Sequence, residues 1–283
     1  MLLDDLAQTS AAVARQPGRL AKTRLLADCL RRAGRDEIPI VVAFLSGELR
    51  QRRTGLGYAA LRDLPPPAAQ PSLQVREVDA EFERISAESG RGSTTARRDR
   101  LRGLMSRATP AEQRLLAGLV SGELRQGALD GVLTEAVATA AEVPAAEVRR
   151  AVMVAGTLRP VAEAVLARGT AGLAGFRLVV GAPVRPMLAQ SAPTLAEAFA
   201  RTGPAAIEWK LDGIRVQVHR DGSAVSVFTR TLDDVTERVP ELVEVVSALP
   251  VHSVVLDGET IALDHEGRPL PFQQTAARIG QRL

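Results

Sequence analysis

The sequence predicts a multidomain chain of two classes: an all-α domain over residues 1–175, then an α+β domain with antiparallel sheets over 176–283. Two changes along the chain carry this. Apolar residues recur at three- and four-residue spacing through the first part, as one face of a helix requires. From about residue 176 the runs shorten, alternate and are punctuated by Asp-Gly pairs, as strands joined by tight turns require. With 283 residues the chain is long enough for both, and its 46% apolar content rests on Ala, Leu and Val, with only 3% aromatic residues.

The helical runs are 20–30, 41–45, 115–124, 132–140 and 148–154, with breaks at Gly34, Pro65–Pro67, Gly90–Gly92, Pro110 and Pro144. PPPAAQP at 65–71 and SGRGSTT at 89–95 read as connections between helical groups. SGELRQ occurs twice, at 46–51 and 121–126, and the likeness extends over 44–61 and 119–136. Each copy follows an Arg-Leu-rich helix, from Arg24 and from Arg100. The reading is an internal duplication, about 24–61 and 100–136, that packs as a pseudo-twofold pair with two Gly- and Arg-bearing loops side by side.

Residues 177–188, RLVVGAPVRPML, form a linker or a strand with two prolines. TLAEAFAR at 194–201 predicts a short helix with Thr194 as N-cap. Strands are expected at AIEWK (206–210), at 214–220 and 224–230 around the turn Asp221–Gly222, and at 253–263 around Asp257–Gly258. A helix is expected over 237–249. On a strand Glu208 shares a face with Lys210, while Trp209 alternates away into the core. His219 reads as a strand residue rather than a ligand, and Gly222 as plain hairpin chemistry.

Composition removes several function classes. One cysteine, Cys29, excludes an internal disulfide, and with three scattered histidines it leaves no zinc set; its apolar-periodic surroundings make it a core residue rather than a reactive thiol. No apolar run is long enough to span a bilayer, and the acidic start (Asp4, Asp5) is no secretory signal, so a cytoplasmic monomer is expected. Charge is uneven: residues 1–175 hold 25 basic against 20 acidic side chains, and 176–283 hold 11 against 13. A polyanion-facing surface is therefore expected on the first part, densest at Arg91, Arg97, Arg98, Arg100, Arg102 and Arg107, unless that run is only a solvated helix face.

Lys210 is one of two lysines, with Lys22, among 36 basic residues. Arg cannot give up its proton, whereas Lys can become a neutral amine and attack an electrophile, so a Lys held where Arg is the local habit suggests a nucleophile. Its setting, KLDGIR at 210–215, fits the pattern KxDGxR. FTRTLDDVT (228–236), VLDGE (255–259) and PFQQTAAR (271–278) follow in order, and GAPVRPMLAQ (181–190) precedes.

This ordered set resembles the covalent nucleotidyltransferases, and across the whole chain it is similar to ATP-dependent DNA ligases of the bacterial and archaeal replicative type. The resemblance implies a helical DNA-binding domain followed by an adenylation domain. It also implies ATP and Mg²⁺ as cofactors, nicked double-stranded DNA as partner, and a place in DNA replication, repair or recombination. In that family's pattern Lys210 is the catalytic nucleophile that carries AMP. Glu208, Arg215, Arg230 and Glu259 would join it in binding ATP or AMP: Glu208 at the adenine amino group, Glu259 at a ribose hydroxyl, Arg230 at the nucleotide or the 5′-phosphate. Mg²⁺ would ride mainly on the ATP phosphates, with Glu259 as its protein ligand. Arg50, Arg125 and Arg278 would contact DNA backbone.

Plainer readings stand beside these. Arg230 could pair with Asp233 or Asp234, Glu259 could be an ordinary strand-end carboxylate, and the SGELRQ loops could be helix turns only. The family pattern also continues with an adenine-stacking aromatic, EGxxxK and KxK elements and an OB-fold. Only 24 residues follow Glu259 and none of these occurs, so the adenylation domain is expected to be truncated and the chain weakly active or inactive alone. The alternative function is a non-catalytic module that binds nicked duplex.

Overall fold

The computed structural model describes residues 1–51, 54–124, 130–187 and 189–280. It divides into two compact units, Met1–Val152 with Thr157–Phe176, and Met153–Gly156 with Arg177–Leu283. No described helix is long and apolar enough to cross a membrane.

The first unit is helical: α1 (Leu3–Arg15), α2 (Arg19–Arg32), α3 (Ile38–Leu45), α4 (Val75–Ala87), α5 (Ser93–Ser106), α6 (Pro110–Ser121), α7 (Asp130–Ala141), α8 (Ala145–Ala155, whose end falls in the second unit) and α9 (Leu158–Arg168). The sequence of α3, IPIVVAFL, is apolar all round, so the helix lies in the core against α1, α2, α4 and α9; Pro39 alone is only half-buried. Cys29 on α2 is fully buried in the same core.

Helices α1 and α4 bury residues at the same spacing: Leu3, Leu6, Ser10 and Val13 on one, Val75, Val78, Phe82 and Ile85 on the other. Just before these helices Leu2 and Gln74 face each other across an antiparallel bridge. The flanking hydrogen bonds are reciprocal, Leu3 N–H to Leu73 O (2.8 Å) and Val75 N–H to Met1 O (3.1 Å). The two SGELRQ copies end α3 and α6 in the same way. Gly47 (φ +78°) and Gly122 (φ +70°) are left-handed, and the next amide, of Glu48 or Glu123, reaches back to Ala43 O (2.9 Å) or Gly118 O (3.0 Å). The loops are neighbours: a Cβ on Gly47 would stand 3.2 Å from the Leu124 Cβ. Pro110 opens α6 inside a capping box, with Thr109 and Glu112 satisfying each other's backbone amides.

The second unit holds α10 (Leu195–Thr202), β1 (Ile214–Asp221), β2 (Ala224–Thr229), α11 (Pro240–Ser247), β3 (Ser253–Thr260) and α12 (Phe272–Gly280). Thr194 caps α10, its hydroxyl accepting the Glu197 amide at 3.2 Å. The strands form an antiparallel sheet in the order β2-β1-β3. Period-two alternation gives β1 two distinct faces. Val216 and Val218 join Val227, Val235, Val239, Val246 and Ile279 in an apolar cluster.

The other face is polar and works as a clasp. Arg215 donates to Met187 O (2.9 Å), Gln217 accepts from Val184 N–H (3.0 Å) and donates to Val184 O, and His219 Nδ1 accepts from Gly181 N–H (3.0 Å). Burial lowers the His219 pKa, so the ring is the neutral acceptor this bond needs, and it lies edge-on to Phe228 with centroids 5.3 Å apart. Residues 181–187 are therefore a linker pinned by side chains, not a strand.

Three expectations fail. Residues 206–210 form no strand, and no described strand runs beside them to supply pairing. Trp209 is consequently 94% exposed rather than core, and Glu208 shares no strand face with Lys210. Asp257–Gly258 is not a turn but the interior of β3, paired with Gln217 and Val216 of β1.

Candidate functional site

Because β1 is antiparallel to both neighbours, its start lies beside the ends of β2 and β3. In the register Val216 faces Thr229, Ile214 faces Thr260, and Arg215 faces Glu259. Three separate sequence motifs thereby meet at one end of one sheet: KLDGIR entering β1, Arg230 leaving β2, and Glu259 ending β3.

Gly213 explains the close fit. A Cβ there would fall inside contact distance of Thr260 O and Ile261 Cγ2, and 2.9 Å from Glu259 Cγ. Its φ is not left-handed, so the requirement is close approach of backbone to β3 rather than a tight turn. Asp212–Gly213 thus delivers the Lys210 segment against the Glu259 end of the sheet.

The charges there are arranged unequally. Arg215 makes a two-pronged pair with Asp257, Nε to Oδ1 at 3.0 Å and Nη2 to Oδ2 at 2.7 Å. The Arg215 guanidinium holds the Asp257 carboxyl below the usual carboxylate range, and Arg215 itself is raised by the same bond. Lys210 is 88% exposed along its side chain, with Asp212 Oδ1 at 3.9 Å. Glu208, Arg230 and Glu259 are exposed. Arg230 forms no ion pair with Asp233 or Asp234, which instead accept hydrogen bonds from Thr231 and Thr236. Leu232, in the left-handed region (φ +68°), closes that turn behind Arg230.

Among the described residues no group of three or more His, Cys, Asp or Glu gathers to hold a metal. With Asp257 engaged by Arg215, Glu259 remains as a solvent-facing carboxylate at this sheet end, with Asp212 exposed just ahead of β1. One carboxylate fits a Mg²⁺ that brings its other ligands on phosphates, which is how this hard, slowly dehydrating ion is usually held.

The other sequence-derived residues lie elsewhere. Arg278 on α12 donates to Arg238 O (3.0 Å) and to Glu241 (2.6 Å), tying α12 to α11. In the helical unit Arg50 pairs through both prongs with Asp79 of α4, Nε to Oδ1 at 2.8 Å, and Gln51 reaches Asp79 and Glu83. Arg125 lies outside the described residues. Sequence reasoning missed Asp257, Gln217 and His219 as anchors. The polar residues at alternate positions of IRVQVHR were the available signal, since a β1 with one apolar face needs a use for the other.

Comparison with known proteins follows the same division. Residues 62–138 match the family described as "DNA ligase N terminus", and residues 186–283 match "ATP dependent DNA ligase domain". The chain is similar over its full length to a "Probable DNA ligase" of Beutenbergia cavernae, 57% identical over 291 residues and 57% of that protein. A protein of the same name from Streptomyces griseus is 54% identical over 282 residues, again with all of this chain and 55% of that protein covered. The chain thus spans about half the length of the curated relatives it matches. Among solved structures, "Pmar-Lig_PreS3" aligns with 98% of this chain and 53% of its own, with a TM-score of 0.51 at 13% identity, a likeness of fold.

Proposed function

This chain belongs to the ATP-dependent DNA ligase family, and we propose that it supplies the duplex-binding part and the first catalytic part of an enzyme that seals nicks in double-stranded DNA. In this reading residues 1–175 bind the duplex and 176–283 begin the adenylation domain of a cytoplasmic monomer. Lys210 Nζ attacks the α-phosphorus of ATP, forming a P–N bond as the bond to pyrophosphate breaks. The AMP then moves to the 5′-phosphate of the nick, and the 3′-hydroxyl displaces AMP to close the backbone.

The observation that supports this reading is that the KLDGIR segment, Arg230 and Glu259, from three separated motifs, lie at the same end of one sheet. Glu208 and Glu259 would accept from the base and ribose. Arg230, without an ion-pair partner among the described residues, is available to a phosphate, while Arg215 is held in place by Asp257. When bound, Mg²⁺ would spread charge on the phosphates, with Glu259 as its protein ligand. Arg50, Arg125 and Arg278 would meet DNA, the first and last released from their acidic partners.

The test is incubation of the chain with ATP labelled at the α-phosphate and Mg²⁺. Weak covalent labelling, absent from Lys210→Ala, is expected. Label that survives the substitution would put the nucleotide on another residue and end the assignment. One observation favours a second reading, a non-catalytic module for nicked duplex: Lys210 and Trp209 are open to solvent, and no described layer covers them. A gel shift on nicked duplex with no AMP transfer would select it.

A further inference from the structure

The arginine run beside α5 is sorted by the fold into two flanks with different uses. On a helix of 3.6 residues per turn, the buried Leu101 and Met105 run between them. Arg97, Arg100 and Arg107 fall to one side, where α4 meets them. Arg100 donates to Glu88 (2.7 Å) and Glu81 (3.1 Å), Arg107 to Glu77 (2.6 Å), and Arg97 to Glu88 O while lying over Gly55. Arg98 and Arg102, four residues apart, fall to the other side, with Arg91 just ahead of the helix. All three are exposed, and none has an ion-pair partner among the described residues.

An arginine already paired with a carboxylate gains little from a phosphate, because the old pair must break first. One that faces water loses nothing and releases condensed counterions from the nucleic acid. Asp99 is the acid on the outer surface of α5, exposed and without an ion pair among the described residues. The acidic residues of α4 therefore decide which of the basic residues remain for a partner.

We infer that Arg91, Arg98 and Arg102 form a phosphate-contacting flank for duplex nucleic acid, and that Arg97, Arg100 and Arg107 serve only to fasten α5 to α4. The partner is a regular polyanion read by charge and spacing, with no base-specific element implied. This rests on the reading of the helical part as a duplex binder.

The experiment measures the salt dependence of binding of the whole chain to a labelled nicked duplex. It compares wild type, the triple variant Arg91→Gln/Arg98→Gln/Arg102→Gln, and the double variant Arg100→Gln/Arg107→Gln, with melting curves to establish that each is folded. Slope is read rather than affinity, because loss of Arg100 also bares two glutamates. Each phosphate contact contributes about 0.9 to the slope of log K against log salt, so the triple variant should flatten it by about two to three while the double variant leaves it unchanged. An unchanged slope in the triple variant, or equal flattening in the double, overturns the assignment while leaving duplex binding intact. A wild-type chain with no salt-dependent affinity for duplex would instead sink the duplex-binding reading, and this inference with it.

Discussion

Leu2 and Gln74 sit opposite each other on an antiparallel bridge, at matching positions ahead of α1 and α4. Their neighbours exchange hydrogen bonds reciprocally, so a local twofold axis passes between two segments 72 residues apart. The symmetry breaks in the core, where Ser10 on α1 occupies the place that Phe82 holds on α4.

Phe82 is fully buried, so Phe82→Ala should destabilise the helical unit by about 3–5 kcal/mol. Urea unfolding followed by far-ultraviolet circular dichroism would show it. A loss below about 1 kcal/mol would mean the site collapses and the ring is not central.

Two glycines in Asp-Gly pairs should respond differently. Gly213→Ala forces a Cβ onto the carbonyl of Thr260, and overpacking against backbone costs about 1–3 kcal/mol. Gly258 meets nothing within 4 Å, so Gly258→Ala should leave melting almost unchanged. Equal effects in the two melting curves would remove the close approach as the reason for Gly213.

Acid should loosen the clasp on β1. Burial lowers the His219 pKa, so the folded state binds fewer protons than the unfolded one below about pH 6.5. The stability from neutral His219 is therefore present above that pH and lost as pH falls through the folded value. Thermal unfolding at about pH 7.5 and about pH 5.5 should show the loss in wild type and a smaller one in His219→Gln, whose amide oxygen can still accept from Gly181. Equal losses would exclude the ring as the source.

Lys210→Arg should behave as Lys210→Ala in forming the AMP adduct, since a guanidinium keeps its proton. The charge is retained but the nucleophile is gone. Labelling of the arginine variant comparable to wild type would show that charge alone is needed.

Breaking the Arg215–Asp257 pair should disturb position more than stability. Asp257 is about half exposed, so Asp257→Asn should cost no more than about 1 kcal/mol. Arg215 would keep its bond to Met187 O but lose the two-pronged brace. If it contacts nucleotide, the concentration of ATP needed for labelling should rise while the maximal extent holds. A fall in extent alone would argue against a positioning role.

Local periodicity was enough to read α2, α3, α5, α6, α7 and α8 but not α1, α4 or α9, and it gave the hairpin at Asp221–Gly222, the Thr194 cap and the burial of Cys29, because each depends on residues a few positions apart. The motif residues were legible for the same reason, being fixed by spacing. The SGELRQ repeat was visible as repeated letters, although the bridge between Leu2 and Gln74 was not, since neither residue belongs to the repeated string.

Only the tertiary structure decided which charges are spent and which strands exist. Arg100 and Arg107 look identical in sequence to Arg98 and Arg102, and the acids in and just after α4 that separate them come from another segment. Residues 206–210 alternate like a strand, but no described strand pairs with them. Pairing partners are set by long-range packing, so composition and period determine what a segment can be, and its neighbours determine what it becomes.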